Sequence, residues 1–222
     1  NDNILAWYYS DVRLNGQNKK ISFTIDEGDF RANSYMLNGD VISSEKYYQG
    51  ESLWHGLAKI TNKHGWLSEE VSNWTLRWID IVLTECGEKE NIRWDLELPG
   101  KYLDATPFNI ICGQTDNHIF DLELQVDKPL LLSQLVFRGL HNSLLRLTSI
   151  SPTSDLVDYN VYNLTRRIVL SIFPGASDDS FNDLFLAEID LISRNINVEK
   201  NDLAERYKNS FFTVRNSLDD LT

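Results

Sequence analysis

The residues best suited to covalent chemistry in this sequence are Cys112 and His118, which flank a short polar segment. A thiol beside an imidazole can act as a nucleophile with its base, and Asp116 between them could orient the imidazole ring. Such a spacing has little specificity by itself. We therefore favour the alternative, in which Cys112 is buried on a strand and His118 is solvated in a turn.

A second set of candidates consists of carboxylates that alternate with apolar residues along predicted strands. Asp95 and Glu97 form one pair, and Asp121 and Glu123 form another. Two such strands side by side could do acid–base work or hold a metal ion. The solvated face of an antiparallel sheet has the same pattern, and this is the interpretation that we favour.

The remaining motifs predict neither a cofactor nor a metal. No two of the 4 histidines lie three or four residues apart, and the sequence contains no Cys-x-x-Cys, phosphate-binding glycine loop or G-x-S-x-G. The acidic run at 178–183 resembles half of a Mg²⁺-diphosphate box. Acids in the first turn of a helix stabilise its dipole and need no ligand, so we interpret this run as a helix start.

The tryptophans are a third feature, because all of them except Trp7 lie between residues 54 and 94. Aromatic side chains dominate the energetics of protein cores, so filling the core is the first interpretation. An exposed group would instead anchor a partner, since Trp is enriched at binding hot spots. The candidate partner-binding residues are Trp66, Trp74, Trp78, Asp95 and Glu97.

The charge balance narrows the class of partner. The formal net charge is −12 and the pI is about 4.7. This argues against nucleic-acid binding, which needs Lys and Arg to neutralise phosphates. It suits a partner protein with a basic face.

The composition also bears on location. No apolar run is long enough to span a membrane, and the 2 cysteines are too few for a disulfide framework. We therefore expect a cytoplasmic protein with free thiols. The first residue is Asn rather than Met, which makes one domain of a larger protein an open alternative.

Strand patterns dominate the first part of the chain. Asn15-Gly16 predicts a tight turn in a hairpin over residues 4–26, and Asn38-Gly39 predicts a second hairpin. Three further elements are predicted, namely strands at 108–112 and 119–126 and a helix within 51–64.

Residues 74–98 have two interpretations. The favoured one pairs strands at 74–84 and 92–98 as a hairpin, because the first is rich in β-branched and aromatic residues and the second alternates strictly. In the alternative, a helix begins at Ser68 and ends at Gly87, with apolar residues at helical spacing. The helix would leave 92–98 to pair with a different strand.

Helical patterns dominate after Pro129. The predicted helices run from Pro129 to Gly139, over 157–172, from Ser177 to 196 and from Asp202 to Leu218. Strands first and helices later indicate an α+β fold, with a mainly antiparallel β-sheet region and one helix in residues 1–128, and a helical region in residues 129–222. The two regions can also form one compact domain.

The functional interpretation follows from the absence of a catalytic signature. We interpret the sequence as an acidic protein-binding module, such as an inhibitor, an immunity protein or a subunit of a larger complex. The main alternative is a hydrolase-like enzyme whose site is assembled from distant residues, either Cys112 and His118 or the strand carboxylates. One domain of a multidomain protein is the third interpretation.

Overall fold

The computed structural model describes the greater part of the chain. The described residues are 7–8, 13–14, 17–26, 29–36, 41–46, 48, 50–88, 92–122, 126–156, 158–196 and 198–215, with side chains from residue 48 onward except at 194–196. The fold is α+β, as predicted: strands lie in the N-terminal half and helices mostly follow them.

An antiparallel sheet begins the chain. Its strands are β1 (Trp7–Tyr8), β2 (Arg13–Leu14), β3 (Gln17–Asp26), β4 (Asp29–Met36) and β5 (Val41–Lys46). They pair in the order β1-β3-β4-β5, and β2 also pairs with β3. Both predicted hairpins are confirmed by this pairing, although Asn15, Gly16, Asn38 and Gly39 lie outside the described residues. A third hairpin, which joins β3 to β4, was not predicted.

Helix α1 (Leu53–Thr61) follows the short strand β6 (Glu51–Ser52) and confirms the helix predicted within 51–64. Strand β6 pairs with β8 (Ile110–Cys112), which pairs with β9 (Asn117–Ile119). The strand predicted at 108–112 begins at residue 110 instead of 108, because residues 107–109 form a 3₁₀ helix. The strand predicted at 119–126 is wrong for residues 120–122, which are not in a strand, and residues 123–125 lie outside the described chain.

The hairpin predicted over residues 74–98 is wrong, since α2 (Ser68–Cys86) is a helix. Val71, Trp74, Trp78 and Val82 share its buried face. Burying these large apolar side chains outweighs the modest helix propensity of the β-branched residues, which amounts to tenths of a kcal/mol each. Gly87 ends the helix at a φ of 72°, a left-handed conformation that glycine adopts without strain.

With α2 helical, the second half of the predicted hairpin takes another partner. Only Glu97–Leu98 of the 92–98 segment forms a strand, β7, which pairs antiparallel with β10 (Leu130–Leu131). Residues 92–96 form a loop with a turn. The alternation of this segment therefore reflects burial of Leu96 and Leu98 rather than a long strand.

The C-terminal part contains α3 (Leu132–Leu145), α4 (Val161–Ile172), α5 (Asp178–Ile196) and α6 (Lys200–Lys208). The predicted end of α3 at Gly139 is wrong, because the helix continues through it. The glycine there makes room for Trp78, whose ring would lie 2.2 Å from an added Cβ atom. The predicted extension of the last helix is also wrong for residues 209–215, since Phe211 and Val214 form isolated β-bridges after α6, and residues 216–218 lie outside the described residues.

The core joins helices from both sides of residue 128. One hydrophobic cluster contains Trp78 of α2, Leu140 of α3, Ile168 of α4 and Phe185 of α5, all of them buried. The division into regions 1–128 and 129–222 stays a prediction. No helix within the described ranges is long and apolar enough to cross a membrane.

Candidate binding groove at Trp94

The structure does not bring Cys112 and His118 together as a catalytic pair. Cys112 pairs across the ladder with Asn117, while His118 pairs with Ile111. Directly opposite residues of an antiparallel pair share a face and successive residues alternate, so the two side chains point to opposite faces. The His118 ring instead stacks on Tyr48, with 3.9 Å between ring centroids.

The surroundings of Cys112 and Asp116 do not activate a nucleophile either. Burial raises the pKa of the Cys112 thiol, which keeps it protonated and weakly nucleophilic. The Asp116 carboxylate accepts a hydrogen bond from the neighbouring Thr115 hydroxyl at 3.0 Å.

The three tryptophans proposed as partner-binding residues lie inside the core. Trp66, Trp74 and Trp78 are only 1%, 6% and 0% exposed. Their indole N–H groups donate to backbone carbonyls of Ser151, Leu53 and Ala105 at 2.9, 3.0 and 2.9 Å respectively. Each indole therefore fills the core and also fixes a distant backbone segment. These side chains are not available on the surface.

The proposed carboxylates lie at the surface. Asp95 and Glu97 are both exposed, and Asp95 approaches the Arg93 side chain at 4.0 Å. Asp121 is exposed, with a φ of 54°, and Glu123 lies outside the described residues. Of the carboxylates that alternate along the predicted strands, Asp95 lines a surface groove beside Trp94.

Two adjoining cavities of about 470 and 240 Å³ form this groove, and they share Trp94 and Ser180. We call it the Trp94 groove. The residues that define it are Trp94, Ser133, Gln134, Phe173, Ser180 and Asp183.

Three chain segments position the walls of the Trp94 groove. Trp94 lies in the loop between α2 and β7, and its indole packs edge-on against Phe173 at 5.5 Å between centroids. Phe173 ends α4, and Gly175 then turns the chain at a φ of 89°. Ser177 starts α5 by accepting a hydrogen bond from the Ser180 N–H at 3.2 Å. The predicted helix stop at 173–175 thus builds one wall of the groove, and the predicted cap starts the helix beside it.

The first turn of α3 supplies the floor at the narrower end of the groove. Ser133 is 0% exposed, and its hydroxyl has no hydrogen-bond partner among the described residues. A buried hydroxyl without a partner costs about 1–3 kcal/mol. Sequence reasoning missed Ser133, because it directly follows the apolar run Leu130-Leu131-Leu132.

The groove carries two acids and one base. Asp183 lines the narrower cavity, is exposed, and makes no ion pair with a described residue. Asp95 and Arg93 both line the wider cavity, where their charges offset each other. The narrower cavity is therefore negative, and the wider one combines a balanced pair with the apolar surface of Phe173 and Pro174.

No known protein family, curated protein or solved structure matches this chain significantly.

A second group of polar residues lies in the interior between α3, α5 and α6. Arg138 donates a hydrogen bond to Glu188 at 2.8 Å, and their side chains are 11% and 0% exposed. His141 stacks on Tyr207 at 4.5 Å between centroids and lies 3.2 Å from the Thr165 hydroxyl. Burial raises the pKa of Glu188 and lowers the pKa of His141 to about 3.

This interior group is closed to solvent and has a structural role. Burial also raises the pKa of Tyr207 to about 12, so at neutral pH both Tyr207 and His141 are uncharged beside the Arg138–Glu188 pair. No group of three or more His, Cys, Asp or Glu side chains with metal-binding geometry occurs in the part of the chain that is described. The Trp94 groove, unlike this interior group, is open to solvent and combines a half-buried tryptophan with carboxylates.

Proposed function

We propose that this protein is an acidic protein-binding module that docks a partner with a basic face at the Trp94 groove. The observation that carries the proposal is the half-buried Trp94, which is shared by two adjoining surface cavities and has carboxylates on both sides. Tryptophan is enriched at binding hot spots, which lie in pockets that exclude water when occupied. The net charge of −12 favours encounter with a basic partner.

The surface beside the groove adds apolar area to this proposal. Leu131 is 36% exposed and, with the exposed Ala187, lines the narrower cavity. An apolar centre within a charged surface is the usual anatomy of a protein interface. The free cysteines Cys86 and Cys112 suit the expected reducing, cytoplasmic environment.

The test uses a variant that fills the groove without touching the core. Ala187→Arg places a large cationic side chain in the narrower cavity. Asn182→Arg is its matched control, since Asn182 is also exposed on α5 but does not line the groove. Tagged wild-type and variant proteins are incubated with lysate of the source cells at low and high salt. Bound proteins are then quantified by mass spectrometry.

At low salt, we expect wild type and Asn182→Arg to capture one stoichiometric partner that Ala187→Arg does not capture. High salt is expected to release this partner. Retention of every captured protein by Ala187→Arg would overturn the proposal. Capture that does not weaken with salt would overturn the basic-partner part of it.

A further inference from the structure

We propose that the narrower end of the Trp94 groove is a binding subsite for one arginine side chain of the partner. This inference rests on the proposed function and names the chemistry that the groove recognises. It combines the Trp94 indole, the Asp183 carboxylate and the Gln134 amide, which belong to residues that line the same cavity of about 240 Å³.

The indole provides a stacking surface. Trp94 is half-buried and lines both cavities. Its edge-on contact with Phe173 fixes its orientation. A planar guanidinium stacks on an indole through a cation–π interaction, and arginine does so more often than lysine.

The floor and the far wall provide hydrogen-bond acceptors. Asp183 offers a carboxylate, and Gln134 offers an amide oxygen. A guanidinium has five N–H donors in one plane, which suits several acceptors around a narrow site.

The side walls suit the stem of an arginine. Leu131, Leu184 and Ala187 line the same cavity. The three methylene groups of an arginine side chain bury against such surface while the charged end reaches its acceptors. An anion is disfavoured there, because Asp183 is the charged residue that lines this cavity and the basic Arg93 lines the wider one.

The experiment uses N-acetyl-L-arginine amide as the probe and N-acetyl-L-citrulline amide as its control, which has nearly the same shape but no charge. Titrations are followed through the indole N–H signals in ¹H–¹⁵N spectra of the full chain. Trp94→Phe identifies the Trp94 signal by its loss. The arginine probe is expected to shift the Trp94 signal in a saturable way, with an affinity about fivefold or more above that of the citrulline probe.

Two variants locate the charge that is recognised. Asp183→Asn is expected to weaken the arginine probe about fivefold or more. Asp179→Asn, which removes an exposed acid of α5 that does not line the cavity, is expected to leave its affinity unchanged. No shift at Trp94, equal shifts with both probes, or equal affinity for Asp183→Asn and wild type would each overturn the arginine subsite.

The outcomes separate this inference from the proposed function. A partner that Ala187→Arg loses, together with no response to the arginine probe, leaves the binding function standing and overturns the subsite. If the arginine probe binds at Trp94 but Ala187→Arg loses no captured partner, the subsite is supported and the docking proposal is overturned.

Discussion

At the scale of single residues, the interior contains an ion pair between Arg138 and Glu188. Glu188 is fully buried, and its pKa is raised by desolvation against the opposing effect of Arg138. Glu188 Oε2 and Arg138 Nε have no hydrogen-bond partner among the described residues. A buried ion pair of this kind contributes little net stability, because desolvation offsets the attraction, yet losing one member leaves an uncompensated charge.

We therefore expect Arg138→Met to lower the free energy of unfolding by about 3–5 kcal/mol, and the double variant Arg138→Met/Glu188→Met to recover most of that loss. Urea denaturation of the three proteins measures this. Lys59→Met is the control, because the Lys59–Glu51 pair is exposed, and no measurable change is expected. A double variant no more stable than Arg138→Met would contradict this account.

At the scale of elements, α2 is a helix because of what it packs against. Its indole rings reach the backbone of α1 and of the segment that follows β7, and α3 approaches Trp78 closely at Gly139. Local propensity favoured a strand for residues 74–84, and a glycine favoured a helix end at 139. The first prediction failed because burying Trp74 and Trp78 outweighs local propensity, and the second because Gly139 leaves room for the Trp78 ring within a helix that continues.

Gly139→Ala is accordingly expected to destabilise the protein by about 1–3 kcal/mol, although alanine normally favours a helix interior. Its Cβ atom would lie 2.2 Å from the Trp78 ring. Gly56→Ala in α1 is a matched control, because its Cβ atom would lie 3.3 Å from the Trp74 ring, where a small shift suffices. Thermal or urea midpoints compare the two, and equal stability of both variants would argue against close packing of α3 on Trp78.

At the scale of the whole molecule, buried residues of α1 to α6 belong to one hydrophobic cluster, so we expect these helices to unfold together. His141 lies at the junction of α3, α4 and α6, in contact with Thr165 and Tyr207. Burial lowers its pKa from 6.5 to about 3. The unfolded chain therefore binds a proton at His141 before the folded protein does, and stability falls as the pH decreases through this interval.

We expect the contribution of His141 to reduce the free energy of unfolding by up to about 1.4 kcal/mol per pH unit below pH 6.5, ending near pH 3. The pKa of Glu188 is raised above its ordinary value of 4.5. The contribution of Glu188 to the free energy of unfolding therefore decreases as the pH rises above 4.5, which is the opposite direction. The comparison of wild type with His141→Phe isolates the histidine, since both share Glu188. NMR titration of the His141 ring provides a check that needs no variant: a ring that protonates near pH 6 would contradict the prediction.

The sequence by itself determined the features that depend on neighbours along the chain. The paired asparagine–glycine turns predicted two of the three N-terminal hairpins, because only a few residues tolerate the backbone angles of such turns. Ser177 predicted where α5 begins, and the Phe173-Pro174-Gly175 stop predicted where α4 ends. That stop also builds one wall of the groove. Hydrophobic periodicity predicted α1, α4 and α5 and the α+β class.

Only the tertiary structure decided the rest, since it depends on contacts between residues far apart in sequence. Trp94 belongs to a strict alternation that predicts a strand, yet packing against Phe173 places it in a loop at the groove. Ser133 follows a leucine run and Asp183 lies in a helix start, so the sequence did not indicate that either belongs to a groove. Only the meeting of α3 and α5 around Trp94 brings them together. Propensity differences of tenths of a kcal/mol are outweighed by burying an indole, which is why local patterns left both α2 and the groove undecided.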